Sequence, residues 1–156
     1  SRTYNVTFIG QHDIYRRTEF YDVLNNDEFS IDNSMFKFYY GWNNGLPGDM
    51  YSKIMSDTKI ALVPWGSASL DTFRFYEALE AGCIVISNIQ NEYPFLKNSP
   101  AIIIQNWNSV ELIIKTLLTS EYKLDSLSLQ SRNFWENKLS PKATAEYVYN
   151  ILKEKI

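Results

Sequence analysis

The 156-residue chain contains one cysteine and one histidine, and no apolar run approaches the roughly 18 residues that a membrane span needs. A single cysteine, Cys83, excludes an intrachain disulfide and a cysteine-based zinc site, and between Gly82 and Ile84 it is typical of a small core residue. No Asp-x-Asp triplet is present to anchor a diphosphate through a metal ion, so we expect no metal. A formal net charge of -3 lacks the basic excess of nucleic-acid-binding proteins, which excludes nucleic acid as a partner.

What is present is the composition of a globular domain, with 45% hydrophobic and 21% charged residues. The length fits one domain with a substantial core, so we interpret residues 1–156 as a single domain. Ser1 leads within three residues into a strand-like pattern without a signal peptide. We therefore expect a fragment of a longer two-domain protein, and for the chain as given we favour a cytoplasmic location.

Short apolar runs alternate with segments of helical spacing. Strands are predicted at 4–9, 35–40, 59–63, 83–86 and 101–104, and helices at 13–25, 49–55, 71–81, 109–119, 126–137 and 141–155. Such alternation indicates βαβ units and a parallel sheet covered on both faces. The predicted fold is a three-layer, Rossmann-like α/β domain with about five parallel strands and C-terminal helices. Ligands of such sheets bind beyond the carboxyl ends of the strands, which directs attention to the segments after residues 9, 40, 63 and 86.

The segment after the third predicted strand is the richest of the four. A loop of small residues leads into a helix start, where free backbone N–H groups and the helix dipole favour an anion such as a diphosphate. Three hydroxyl side chains, Ser67, Ser69 and Thr72, add donors. Thr72 can alternatively cap the helix, and capping is the role that we favour for Asp71.

Arg74 and Glu77 project from nearly the same side of this helix. The guanidinium suits a phosphate, and the carboxylate can accept both hydroxyls of a ribose. The alternative is an intrahelical salt bridge on a solvated face. Because the surrounding positions are apolar on nearly every side, we expect a buried helix whose charges require partners, which favours the ligand-binding interpretation.

Two stretches resemble the exostosin family of glycosyltransferases. Residues 51–66, YSKIMSDTKIALVPWG, resemble its run of Tyr, helix, small polar residue, Lys, Leu, Pro and Gly. Residues 72–84, TFRFYEALEAGCI, resemble its Ser-x-Arg-aromatic-Glu-Ala-Leu-x-Ala-Gly-Cys-Ile run at the family's spacing. The resemblance implies the C-terminal, nucleotide-sugar-binding half of a GT-B fold. It covers most of the chain in element order, but only residues 51–88 in motif.

Carried over by position, the resemblance places Glu77 on the ribose and Arg74, Thr72 and Gly66 beside the diphosphate. It also places an arginine shortly after the first strand's Gly10. Arg17 fits that position and Arg16 could share it, although either could instead be an exposed helix charge. The resulting set of donor-binding residues is Gly10, Arg17, Gly66, Ser67, Ser69, Thr72, Arg74 and Glu77.

Three departures from the family pattern affect the reaction. Trp65 stands where a basic or polar residue is frequent, and Val85 replaces a frequent proline. Ser69 provides no acid eight residues before Glu77, so the two-glutamate pattern of many retaining GT-B enzymes is absent and an inverting reaction is favoured. The general base that inversion needs is expected outside this chain. His12 is a weak candidate, because it follows Gly10 toward the cleft but a lone loop histidine is more often a surface or hydrogen-bonding residue.

The sequence therefore predicts a metal-independent glycosyltransferase domain without a cofactor, inactive in isolation. Its substrates would be a nucleotide sugar, with UDP favoured, and a glycan or other hydroxyl acceptor, and its partner would be the missing N-terminal domain. The alternative is a non-catalytic nucleotide- or protein-binding α/β module. A receiver-type signalling domain is disfavoured, because the third strand leads into Pro64-Trp65 rather than a phosphoacceptor aspartate.

Overall fold

The computed structural model describes residues 1–12, 17–41, 43–66, 72–89 and 94–155. In the described part of the chain, five strands form one parallel sheet. They are β1 (Tyr4–Gln11), β2 (Ser34–Tyr39), β3 (Thr58–Val63), β4 (Ile84–Ser87) and β5 (Ile102–Ile103). The strand order is β2-β1-β3-β4-β5. The predicted parallel sheet of about five strands is confirmed.

Six α-helices surround the sheet in the part of the chain that the structure describes. They are α1 (Thr18–Leu24), α2 (Gly48–Ser56), α3 (Phe73–Glu80), α4 (Val110–Leu118), α5 (Glu121–Phe134) and α6 (Pro141–Glu154). A 3-10 turn, Trp107–Ser109, precedes α4, and a π-helical segment, Trp135–Leu139, separates α5 from α6. No helix among these described residues is both long and apolar enough to cross a membrane.

The start of α5 differs from the sequence prediction. The helix begins at Glu121, five residues before the predicted start at residue 126. The side chain of Ser120 caps it by accepting a hydrogen bond from the backbone N–H of Lys123. Residues 121–123 are all exposed, so they carry little of the apolar periodicity on which the prediction depended.

The sheet is the middle layer of three. Alternate side chains of each central strand point to opposite faces, as a strand requires. One face packs against α1, α4 and α5 through a cluster that includes Val6, Phe8, Ile60, Leu62, Ile84 and Ile86. The other face packs against α2, α3 and the π segment through Ala61, Val63 and Val85. Burial on both faces explains the continuous apolar runs of the central strands and confirms the Rossmann-like three-layer architecture.

The order of the strands places a crevice at the end of β1. The chain passes from β1 to β2 on one side and then returns across β1 to pair β3 on its other side. Parallel pairing brings Val6 opposite Ile60 in β3 and Gln11 opposite Tyr39 in β2. Strand order therefore reverses between β1 and β3, which is where open α/β sheets bind ligands.

Helix α3 is only half buried, so the expectation of a buried helix is wrong. Phe75, Ala78 and Leu79 are buried against the sheet, whereas Phe73 is 84% exposed and Glu77 is exposed. The outward-facing side chains include an aromatic residue, which made the sequence look apolar all round. Arg74 is partly buried, so its charge needs partners. Glu77 is exposed, so its charge does not.

Candidate functional site

Arg74 crosses from the first turn of α3 to the carboxyl end of β1. Its Nε donates a hydrogen bond of 2.8 Å to the backbone oxygen of Ile9, and its Nη1 lies 3.5 Å from the Oγ1 of Thr72. A guanidinium carries five N–H groups, so these two contacts leave others available. Burial lowers the pKa of Arg74, and the nearby Tyr51 and Glu77 counteract that effect. The side chain is thus a held cation at the strand reversal.

Gly10 lies directly against this guanidinium. A Cβ atom placed on Gly10 would lie 2.6 Å from the Cζ and Nε atoms of Arg74, closer than real Cβ contacts. The glycine is therefore required by close approach, and any larger residue would displace the guanidinium. Gly10 and Arg74, predicted as donor-binding residues from different parts of the sequence, form one structural unit.

A tyrosine from helix α2 lies near Glu77. The charge of the Glu77 carboxylate acts on the phenol of Tyr51. Burial, and secondly the charge of Glu77, raise the pKa of the Tyr51 phenol, so it remains a donor at neutral pH. The described ion pairs within 4 Å are Lys115–Glu111 and Arg132–Glu136, so Arg74 and Glu77 do not form the alternative salt bridge.

Arg17 is buried, with only 2% of its surface exposed, so the alternative of an exposed helix charge is wrong. Its Nε donates to the backbone oxygen of Trp65 at 2.8 Å, and its Nη1 donates to the backbone oxygen of Gln11 at 2.7 Å. Trp65 lies in the segment that follows β3, and Gln11 is the last residue of β1. Arg17 therefore fixes the two chain segments that flank the strand reversal, and Arg16 lies outside the described residues.

Trp65, one of the departures from the family pattern, has a clear structural role. Its backbone N–H donates to the side-chain oxygen of Asn88 at 3.1 Å, and its indole Nε1 donates to the backbone oxygen of Asn88 at 2.6 Å. Just before Asn88, the hydroxyl of Ser87 donates to the backbone oxygen of Val63 at 2.6 Å. The ends of β3 and β4 are consequently held together beside the site.

His12 lies at the end of β1 among aromatic rings. Its ring centroid is 4.3 Å from that of Tyr21 in an edge contact and 5.2 Å from that of Tyr40 in a stacked contact. Its Nδ1 is buried and has no hydrogen-bond partner among the described residues. The enclosed Nδ1 cannot take a proton from an acceptor without rearrangement, so a general-base role for His12 would have to use its Nε2.

The remaining predicted residues divide into two groups. Thr72 is the N-cap residue of α3 and has an extended backbone, while Gly66 is buried in the segment that follows β3. Ser67 and Ser69 lie outside the described residues, as does Asp71. Within the described ranges, no three His, Cys, Asp or Glu side chains group to hold a metal ion.

Together these residues place a cation and an exposed carboxylate one turn apart on α3. The guanidinium of Arg74 lies near the start of the helix, and the carboxylate of Glu77 offers acceptor oxygens one turn further along. Sequence reasoning missed Tyr51 and Asn88 as supporting residues. Tyr51 lies in the stretch that resembles the exostosin family, but it had no predicted role. Asn88 lies in the segment after residue 86, one of the four segments that the sequence marked as candidate ligand positions.

No protein-family model matches the chain, and no curated protein matches it in sequence. The site must therefore be interpreted from its geometry.

Proposed function

We propose that the chain is the nucleotide-sugar-binding domain of a glycosyltransferase, with a UDP-sugar as the favoured donor. The observation that supports this best is the guanidinium of Arg74, held against Gly10 and the backbone oxygen of Ile9, with the exposed carboxylate of Glu77 one turn further along the helix. A diphosphate would contact the guanidinium and the start of α3, and the ribose hydroxyls would donate to the Glu77 carboxylate. The exostosin-like motif supports the same assignment of roles.

In this proposal the domain binds and orients the donor, and it stabilises the leaving diphosphate. Charge develops on the leaving group as the glycosidic bond breaks, and a held cation beside that oxygen lowers the barrier. The base that deprotonates the acceptor hydroxyl belongs to the other domain of a GT-B enzyme. We keep an inverting, metal-independent reaction as a prediction, together with a glycan or other hydroxyl acceptor.

The alternative, a protein-binding module, is supported by helix α6. None of its side chains is buried, and its exposed apolar residues are Tyr147, Val148, Tyr149, Ile151 and Leu152. Exposed apolar groups gathered on one helix are typical of a surface that contacts another protein or domain. The same surface would also serve a two-domain enzyme, so α6 alone does not decide between the two functions.

Calorimetric titration with UDP, UDP-glucose, GDP and GDP-mannose tests the proposal. Glu77→Ala should weaken binding of the preferred nucleotide about 10- to 100-fold, because hydrogen bonds to a charged group are lost. Glu80→Ala is the matched control, since Glu80 is an exposed glutamate on the same helix one turn further along. It should leave the affinity within about twofold of the wild type.

Two outcomes would contradict the proposal. If the wild-type chain binds none of the four compounds, the protein-binding module becomes the better interpretation. If Glu77→Ala and Glu80→Ala reduce the affinity equally, the nucleotide binds elsewhere or through general charge effects.

A further inference from the structure

An aromatic group at the carboxyl ends of β1 and β2 has no role in the site described so far. We call it the edge cluster, and it consists of His12, Tyr21, Phe38 and Tyr40. The rings of Tyr21 and Phe38 are 4.9 Å apart between centroids, and the imidazole of His12 lies between Tyr21 and Tyr40. Tyr40 is the outermost member, with 62% of its surface exposed.

The backbone holds the ring of Tyr40 at this edge. The N–H of His12 donates to the backbone oxygen of Tyr39 at 2.8 Å, which aligns the chain segments that carry the two stacked rings. Directly after Tyr40, Gly41 has a φ of 80°, and the side-chain amide of Asn44 donates to the backbone oxygen of Tyr40. A left-handed residue at this point suits glycine and turns the chain sharply. The exposed ring is therefore backed by the imidazole and placed by a defined turn.

The edge cluster and the tyrosine near Glu77 pack on opposite faces of the sheet. Tyr51, which lies near Glu77, packs with the apolar core on the α2 and α3 face. Phe38 packs with the core on the α1 face. His12 is two residues beyond Gly10, which corresponds to at most about 7 Å of chain.

This arrangement matches the order of groups in a nucleotide sugar, where the diphosphate separates the ribose from the sugar. With the ribose at Glu77 and the diphosphate at Gly10 and Arg74, the sugar would extend away from Glu77, toward the edge cluster. An exposed aromatic ring offers an apolar face to the C–H groups of a pyranose, and the tyrosine hydroxyl remains in water. The ligand class that fits the ring is therefore a hexopyranose.

We propose that Tyr40, backed by His12, is the stacking platform for the sugar of the bound nucleotide sugar. The inference rests on the proposed function, because it takes the positions of ribose and diphosphate from it. It adds a sugar-recognising residue that neither the family-like motif nor the anion site includes.

The experiment compares each nucleotide with its sugar conjugate. Affinities are measured by calorimetry for UDP and UDP-glucose, and for GDP and GDP-mannose, on the wild type, Tyr40→Ala and Tyr40→Phe. Tyr40→Ala should weaken the sugar nucleotide about fivefold to tenfold, within the range of aromatic stacking, and leave the plain nucleotide within about twofold. Tyr40→Phe should behave like the wild type, because it keeps the ring.

Tyr149→Ala is the matched control, because Tyr149 on α6 is 64% exposed, nearly the same as Tyr40. It should change neither affinity. Equal losses for the nucleotide and its conjugate in Tyr40→Ala would overturn the inference, because the ring would then act on the nucleotide or on the fold. Unchanged affinity for the conjugate would also overturn it while leaving the proposed function intact. Absence of any nucleotide binding by the wild type would instead overturn the proposed function, and the inference with it.

Discussion

Arginine side chains donate hydrogen bonds to backbone oxygens at both ends of the sheet, but their surroundings differ. At the amino end, Arg2 donates to the backbone oxygens of Thr58 and Ala81, and Arg132 donates to the backbone oxygen of Glu80. At the carboxyl end, Arg17 and Arg74 also donate to backbone oxygens. An arginine bonded to carbonyls is therefore not, by itself, a sign of a ligand site.

The surroundings make the difference between the two ends. At the amino end, Cys83 is fully buried and its Sγ lies 3.3 Å from the backbone oxygen of Met55. Burial raises the pKa of the Cys83 thiol to about 11, so the thiol is protonated and unreactive at neutral pH, which fits the predicted core role. At the carboxyl end, the guanidinium of Arg74 lies against a glycine and near an exposed carboxylate. One end is closed by side chains, and the other presents polar groups to solvent.

The largest effect is expected from breaking the amino end. Arg2→Ala leaves the carbonyls of Thr58 and Ala81 without their charged donor, which should lower the free energy of unfolding by about 2 kcal/mol. Urea denaturation followed by circular dichroism measures this change. Nucleotide affinity should remain as in the wild type, because the substitution is at the far end of the sheet. If Arg2→Ala kept its stability but bound nucleotide more weakly, the amino end of the sheet would be involved in binding.

The strands of the sheet were predictable because each is defined by a local sequence pattern. The segments 60–63 and 84–86 are continuous apolar runs, each bounded by residues that stop a strand. Alternation with helices then restricts the topology to parallel pairing with right-handed crossovers. The limits of the helices were less predictable, since the start of α5 depends on a capping serine and not on apolar spacing.

The location of the site was predictable from the sequence, but the contact partners of its side chains were not. The sequence places Arg74 and Glu77 one turn apart, which allows both a salt bridge and separate roles. The structure separates them, because the guanidinium donates to the backbone oxygen of Ile9 in a strand, while the carboxylate of Glu77 is exposed near Tyr51 of another helix. The burial of Arg17 is likewise decided by carbonyls 48 and 6 residues away along the chain. Such contacts depend on tertiary packing, which local patterns do not record.

The second prediction breaks the carboxyl end at its closest contact. Gly10→Ala places a methyl group where the guanidinium of Arg74 lies, and the flexible side chain should move aside. We expect nucleotide affinity to fall about tenfold, equivalent to 1.4 kcal/mol, while the free energy of unfolding changes by less than about 1 kcal/mol. Calorimetry and urea denaturation of the same preparation measure the two quantities.

Gly45→Ala is the control for this variant. A Cβ atom at Gly45 meets nothing within 4 Å, so both quantities should stay near the wild-type values. If Gly10→Ala loses stability but binds nucleotide normally, then the contact between Gly10 and Arg74 serves the fold, as the arginines do at the amino end. The comparison between the two ends would then fail.

The smallest effect is expected at His12, whose Nδ1 has no hydrogen-bond partner in the part of the chain that the structure describes. A buried nitrogen that makes no hydrogen bond lowers stability, whereas the phenyl ring of His12→Phe can keep the contacts with Tyr21 and Tyr40. The free energy of unfolding should therefore stay the same or rise by up to about 1 kcal/mol. Phe38→Ala, which removes a partly buried ring from the same cluster, should instead lower it by about 1.5 kcal/mol. A clear loss of stability in His12→Phe would mean that Nδ1 has a partner in solution, and the carboxyl end would then be as fully bonded as the amino end.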